Sequence, residues 1–66
     1  MKIAIAIDDW KLPIFERHLT GAGYFYTRGN GLTDGTLFLY VVTNDDPQKL
    51  EGVVRAANDE AARSKL

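Results

Sequence analysis

No cysteine occurs among the 66 residues, and histidine, tryptophan and methionine occur once each. Without thiols there is no disulfide framework, no iron–sulfur ligation and no thiol nucleophile. A zinc site would have to be filled by one histidine and carboxylates, which is not how structural zinc is held. Excess charge of one sign is missing too. Eight basic and nine acidic residues give a formal net charge of −1, and no basic run is present to follow a phosphate backbone. Long apolar stretches are absent: the longest, Leu37 to Val42, has six residues, against the ~20 of a membrane-spanning helix. Met1-Lys2 leads straight into strand-like alternation with no signal-peptide pattern. The expectation is a cytoplasmic protein with no membrane segment and no cofactor.

What is present is ordinary globular composition, 45% hydrophobic and 26% charged, in an amount that makes one domain over residues 1–66. A domain this small buries only about 60% of its unfolded surface. With no cysteine for disulfides and one histidine for a structural metal, oligomerisation is the remaining supplement to a small core.

Lys2 to Ile7 alternates Ile3, Ile5 and Ile7 with Ala4 and Ala6, which predicts a strand with one β-branched and one small face. Asp8-Asp9 ends it and offers a helix cap. A helix is expected over Lys11 to Thr20 with Leu12, Phe15 and Leu19 as its stripe, Pro13 in the first turn and Gly21 as the C′ residue. Tyr24 to Arg28 reads as a second strand, with Tyr24 and Tyr26 on one face and Phe25 and Thr27 on the other. A glycine-rich turn, Gly29 to Gly35, leads to a third strand, Thr36 to Thr43. Asp46-Pro47 is an N-cap followed by an N1 proline. It opens a helix whose stripe is Leu50, Val53, Val54, Ala57 and Ala61.

The order β-α-β-β-α predicts an α+β fold. Its three-stranded sheet is ordered 1-3-2, with both helices on one face. This pattern resembles the ferredoxin-like fold of ACT domains and RNA-recognition domains with the fourth strand missing. The strand Tyr24-Phe25-Tyr26 lacks the glycine- and lysine-rich signature of those RNA-binding domains. In wording, Ile7-Asp8-Asp9-Trp10-Lys11-Leu12 and Phe15 to Tyr24 are similar to short uncharacterised proteins of tailed phages and proteobacterial prophages. That likeness implies no activity of its own; a phage-encoded factor directed at a host protein is one form such a chain takes.

With Ile3, Ile5, Ile7, Phe25, Leu37, Leu39 and Val41 turned to the helices, the other sheet face shows Ala4, Ala6, Tyr24, Tyr26, Phe38, Tyr40 and Val42. A helix-free face normally turns polar, and an apolar one marks an interaction site. Four readings compete: a homodimer packed face to face, the docking of another protein, a stacking platform for single-stranded nucleic acid, and cover by a loop or tail of the same chain. The nucleic-acid reading suffers from the missing basic groove. The first strand, as an edge, offers a second route to a dimer. A small-molecule sensor similar to ACT-like regulatory domains, with ligand held between subunits near Gly21–Gly23 and the turn cluster, is the alternative function.

Other chemistry-bearing residues have structural explanations. Asp8, Asp9 and Asp34 fall at one end of the sheet, where three carboxylates could hold magnesium or calcium; the stronger reading is structural, with Asp9 as a helix cap, Asp34-Gly35 as a turn and Arg28 paired with a neighbouring aspartate. Arg28-Gly29-Asn30-Gly31 has the composition of an anion nest, but a strand rather than a helix follows. His18 borders the first helix's stripe with no nucleophile near it in sequence. Trp10 reads as a lid over the edge of the core or as an exposed anchor. None of these makes a catalytic set, so a non-enzymatic module is expected.

Overall fold

Period-two isoleucine and period-3.6 leucine and phenylalanine produce the elements they predict. The computed structural model describes residues 1–64. Strand β1 (Lys2–Asp8) passes through a 3-10 turn, Asp9–Lys11, into helix α1 (Leu12–Gly21). Strands β2 (Tyr26–Asn30) and β3 (Thr36–Val42) follow, then helix α2 (Pro47–Ser64). The fold is α+β, and the sheet order is β1-β3-β2. Both neighbouring pairs are antiparallel: Lys2 faces Val42 and Asp8 faces Thr36 across β1–β3, while Tyr26 faces Val41 and Asn30 faces Leu37 across β2–β3.

Ile7, Leu39 and Val41 from one sheet face meet Phe15 and Leu19 of α1 and Leu50 and Ala57 of α2. Both helices therefore cover the same side. Phe15, Leu19, Leu39 and Val41 are the largest fully buried side chains. Ala57 and Ala61 are fully buried as well, and Leu50, Val53 and Val54 supply the larger apolar side chains of α2. No helix among the described residues is long and apolar enough to cross a membrane.

The helix ends differ from the sequence expectation in one instructive way. The C′ residue of α1 is Gly23, not Gly21. Gly23 has φ +84°, a left-handed conformation that glycine adopts without a Cβ clash. Its N–H donates to Thr20 O at 3.0 Å, and the N–H of Tyr24 donates to Leu19 O at 2.9 Å. This pair of bonds is a Schellman cap, whose C″ residue folds back onto C3. Here C″ is Tyr24 and C3 is Leu19, and both are buried. The helix thus ends one residue later than expected and β2 starts two residues later, at Tyr26.

At the other helix starts, Asp46 caps α2 as expected, its Oδ1 accepting the Gln48 N–H at 2.9 Å. Asp9 does not cap α1, whose N-cap position is Lys11 without a side-chain bond. Instead the Asp9 N–H donates to Gly35 O at 2.8 Å and extends the β1–β3 ladder.

Candidate interaction surface

Side chains alternate across a strand, so the register defines the helix-free face. On β3 it carries Thr36, Phe38, Tyr40 and Val42. Ala4 stands opposite Tyr40 and Ala6 opposite Phe38 on one side, and Thr27 opposite Tyr40 and Gly29 opposite Phe38 on the other. The result is a central aromatic ridge with small residues along both flanks. Phe38 and Tyr40 stack with ring centroids 6.0 Å apart and planes inclined by 29°. Tyr40 leans over β2: a Cβ on Gly29 would sit 2.5 Å from Tyr40 Cε2, so that residue must be glycine for the ring to lie there. Lys2 Nζ lies 4.8 Å from the Tyr40 ring centroid, within cation–π range. Phe38 and Tyr40 are half-buried, Ala4 and Ala6 are exposed, and Val42 is 66% exposed.

Two residues expected on this face are not there. Tyr24 is in the core, 6% exposed. Its Oη is buried without a hydrogen-bond partner among the described residues, and Lys49 Nζ lies 5.8 Å from its ring. Tyr26 is on the helix side, half-buried, with its Oη donating to Glu16 Oε2 at 2.8 Å. Burial, reinforced by the Glu16 carboxylate, raises the Tyr26 phenol above its ordinary value. Phe25, expected against the helices, is 87% exposed. All three corrections share one cause: the Schellman cap turns Tyr24 inward and shifts β2, which reverses the facing of its residues. Thr27, expected with Phe25 on the side opposite Tyr24 and Tyr26, is reversed in the same way and lies on the open face, joined there by Lys2 and Gly29. For β2 the usable signal was Leu19 four residues before Gly23 and five before Tyr24, the spacing of that cap.

The remaining candidates resolve into structural roles. Among the described residues no group of three His, Cys, Asp or Glu side chains is placed to hold a metal ion. Asp8 lies 3.8 Å from Lys11 Nζ. Arg28, Gly29 and Asn30 belong to β2 and form no nest. The turn that follows is closed by Thr36 Oγ1 donating to Thr33 O at 2.7 Å. His18 Nε2 is 3.0 Å from Glu60 Oε1, and Arg17 contacts the other Glu60 oxygen, so the cluster clasps α1 to α2. Trp10 is 38% exposed with Lys11 Nζ 5.4 Å from its ring. Gly21–Gly23 closes α1 and leads to the Tyr26–Val41 end of the sheet, whereas the turn cluster adjoins Asn30 and Leu37 at the other end. Compared with known protein families, curated proteins and solved structures, the chain matches none.

Proposed function

We propose that the protein is a small, non-enzymatic protein-interaction module, homodimeric and cytoplasmic, whose helix-free sheet face is its contact surface for another protein. The observation that carries this reading is the Phe38–Tyr40 ridge, flanked by Ala4, Ala6 and Gly29 on the side where a one-sided sheet is ordinarily polar. Aromatic side chains are enriched at interface centres, and small flanking residues leave shallow troughs for a partner's side chains. Two strands of seven residues and one of five present at most roughly 23 by 14 Å of sheet, with the apolar residues at its centre. Among the face residues Lys2 is the one cation and Asp8 offsets it, which favours protein over nucleic acid. The thin core supports the homodimer: among the described residues nine hydrophobic side chains are buried, two of them alanine, in a chain with no disulfide.

Incorporating a photo-crosslinking phenylalanine analogue at Tyr40, and separately at Asp59 on α2, tests the surface in cells. The reading expects a discrete adduct with a second protein from position 40, lost when Phe38→Glu is added and absent from position 59. No adduct from position 40 would overturn it. An adduct of the chain with itself would make the face the dimer contact.

A further inference from the structure

We propose that two copies of this chain join through the outer edge of β1, antiparallel about a two-fold axis at Ile5, to make one six-stranded sheet. The inference rests on the homodimeric reading above but uses different atoms from the aromatic face.

Backbone polarity along β1 is set by its ladder with β3. Met1 and Thr43 exchange two backbone bonds of 3.0 Å each, and the Asp9 N–H donates to Gly35 O at 2.8 Å. Hydrogen-bonded pairs alternate along an antiparallel ladder, so Ile3, Ile5 and Ile7 direct their N–H and C=O groups at β3. Lys2, Ala4, Ala6 and Asp8 direct theirs outward. β3 is the sole strand paired with β1 among the described residues, which leaves that row open.

Edge strands are normally blunted by proline, bulges or charges placed along their length. The run Lys2-Ile3-Ala4-Ile5-Ala6-Ile7-Asp8 has no proline, its register is uninterrupted, and its two charges are opposite in sign and sit at its ends. Such a sequence is complementary to its own reverse. Centred on Ile5, it sets Lys2 of one copy against Asp8 of the other, Ala4 against Ala6, Ile3 against Ile7, and Ile5 against itself. The Lys2–Asp8 and Ala4–Ala6 pairs are those whose backbone groups point outward. Each of these four pairs across the axis exchanges two bonds, about eight in all. A one-residue slip opposes an outward residue to an inward one and exchanges the faces. A two-residue slip keeps the polarity but sets Lys2 or Asp8 against alanine. Charge complementarity therefore selects one register.

The helix side of the edge fits the same occupant. A concavity of about 440 Å³ runs beside β1, floored by Ile3, Ile5, Leu50 and Val54. Ile3, Ile5 and Val54 are half-buried in the single chain. Isoleucines of a second β1 complete their burial, and Ile5 meets its copy in a non-hydrogen-bonded pair, where side chains approach most closely. All four helices then lie on one side, and the two aromatic ridges lie side by side on the other.

Light scattering on the full chain, combined with register-specific variants, tests the pairing. The expected mass is two chains. Ala4→Pro removes an outward N–H without touching the β3 ladder, and it should weaken the dimer about tenfold or more because the two-fold loses that bond twice. Lys2→Glu should weaken it, and Lys2→Glu with Asp8→Lys should restore it; these surface changes spare the fold. In this cysteine-free chain, Ile5→Cys should oxidise to a disulfide-linked dimer, because the expected Cα separation of about 4.5 Å suits one. Ile3→Cys, about 13 Å from its copy in this register, should not. A dimer indifferent to all of these but split by Phe38→Glu would overturn the edge pairing while leaving a homodimer. A one-chain mass at every soluble concentration would overturn both.

Discussion

Replacing Tyr24 by alanine and by phenylalanine distinguishes a core tyrosine from a surface one, and the two changes move stability in opposite directions. The ring is 6% exposed and belongs to the buried cluster with Leu19, Leu39 and Val41. Truncating a buried aromatic to alanine costs about 3–5 kcal/mol. A domain of this size has roughly that much stability in total, so Tyr24→Ala should be largely unfolded at room temperature. Tyr24→Phe keeps the ring and removes the Oη that has no partner. Relieving an unmet buried hydroxyl recovers about 1 kcal/mol, the low end of its desolvation penalty. With an unfolding entropy of roughly 2.1 cal/mol/K per residue over 66 residues, that is a rise in Tm of about 7 °C. Thermal circular dichroism and urea titration, at one fixed protein concentration because self-association raises Tm, read both changes. If Tyr24→Ala unfolds within about 0.5 kcal/mol of the parent, as surface substitutions do, Tyr24 is not in the core and the cap that places it there is wrong.

Three further outcomes follow from named contacts. Gly23→Ala forces a Cβ into φ +84° and should lower stability by about 1 kcal/mol or more, seen as a lower urea midpoint; an unchanged midpoint would deny the left-handed cap. Glu60→Ala removes the partner of both Arg17 and His18. Because the cluster is partly solvated, the loss should be at most about 1 kcal/mol and should shrink in concentrated salt; a salt-independent loss would point to packing instead. Tyr26 has its phenol raised by burial and then by Glu16, so the unfolded chain ionises first as pH increases. The stability it contributes is whole below about pH 10, the ordinary tyrosine value, and is lost as pH climbs through the folded-state value. Urea midpoints from pH 8 upward should fall less steeply in Tyr26→Phe; identical slopes would refute the coupling.

Much of this molecule was legible from local pattern because local pattern states burial directly. The alternating isoleucines of β1, the doubly apolar β3, the Asp46-Pro47 start of α2 and its stripe each dictate one element. The order of elements leaves one economical sheet, β1-β3-β2. The same reading located Ala4, Ala6, Phe38, Tyr40 and Val42 on the open face, since each lies in a strand whose phase is set by flanking residues of unambiguous character.

Residues Tyr24 to Tyr26 were not legible in that way. Tyr-Phe-Tyr is apolar in either phase, so alternation there has no preferred face, and two nearby glycines compete for the C′ position. Backbone geometry at Gly23 decided between them. Two hydrogen bonds to Thr20 and Leu19 folded Tyr24 under α1 and exposed Phe25. The sequence by itself determined which segments are helix and strand and which residues must be hidden, because those depend on neighbours a few positions away. Tertiary structure alone decided the phase of β2, the pairing of His18 and Arg17 with Glu60 across 42 and 43 residues of chain, and which backbone groups of β1 point outward. Each of these depends on atoms brought together only when the sheet and helices close on one another.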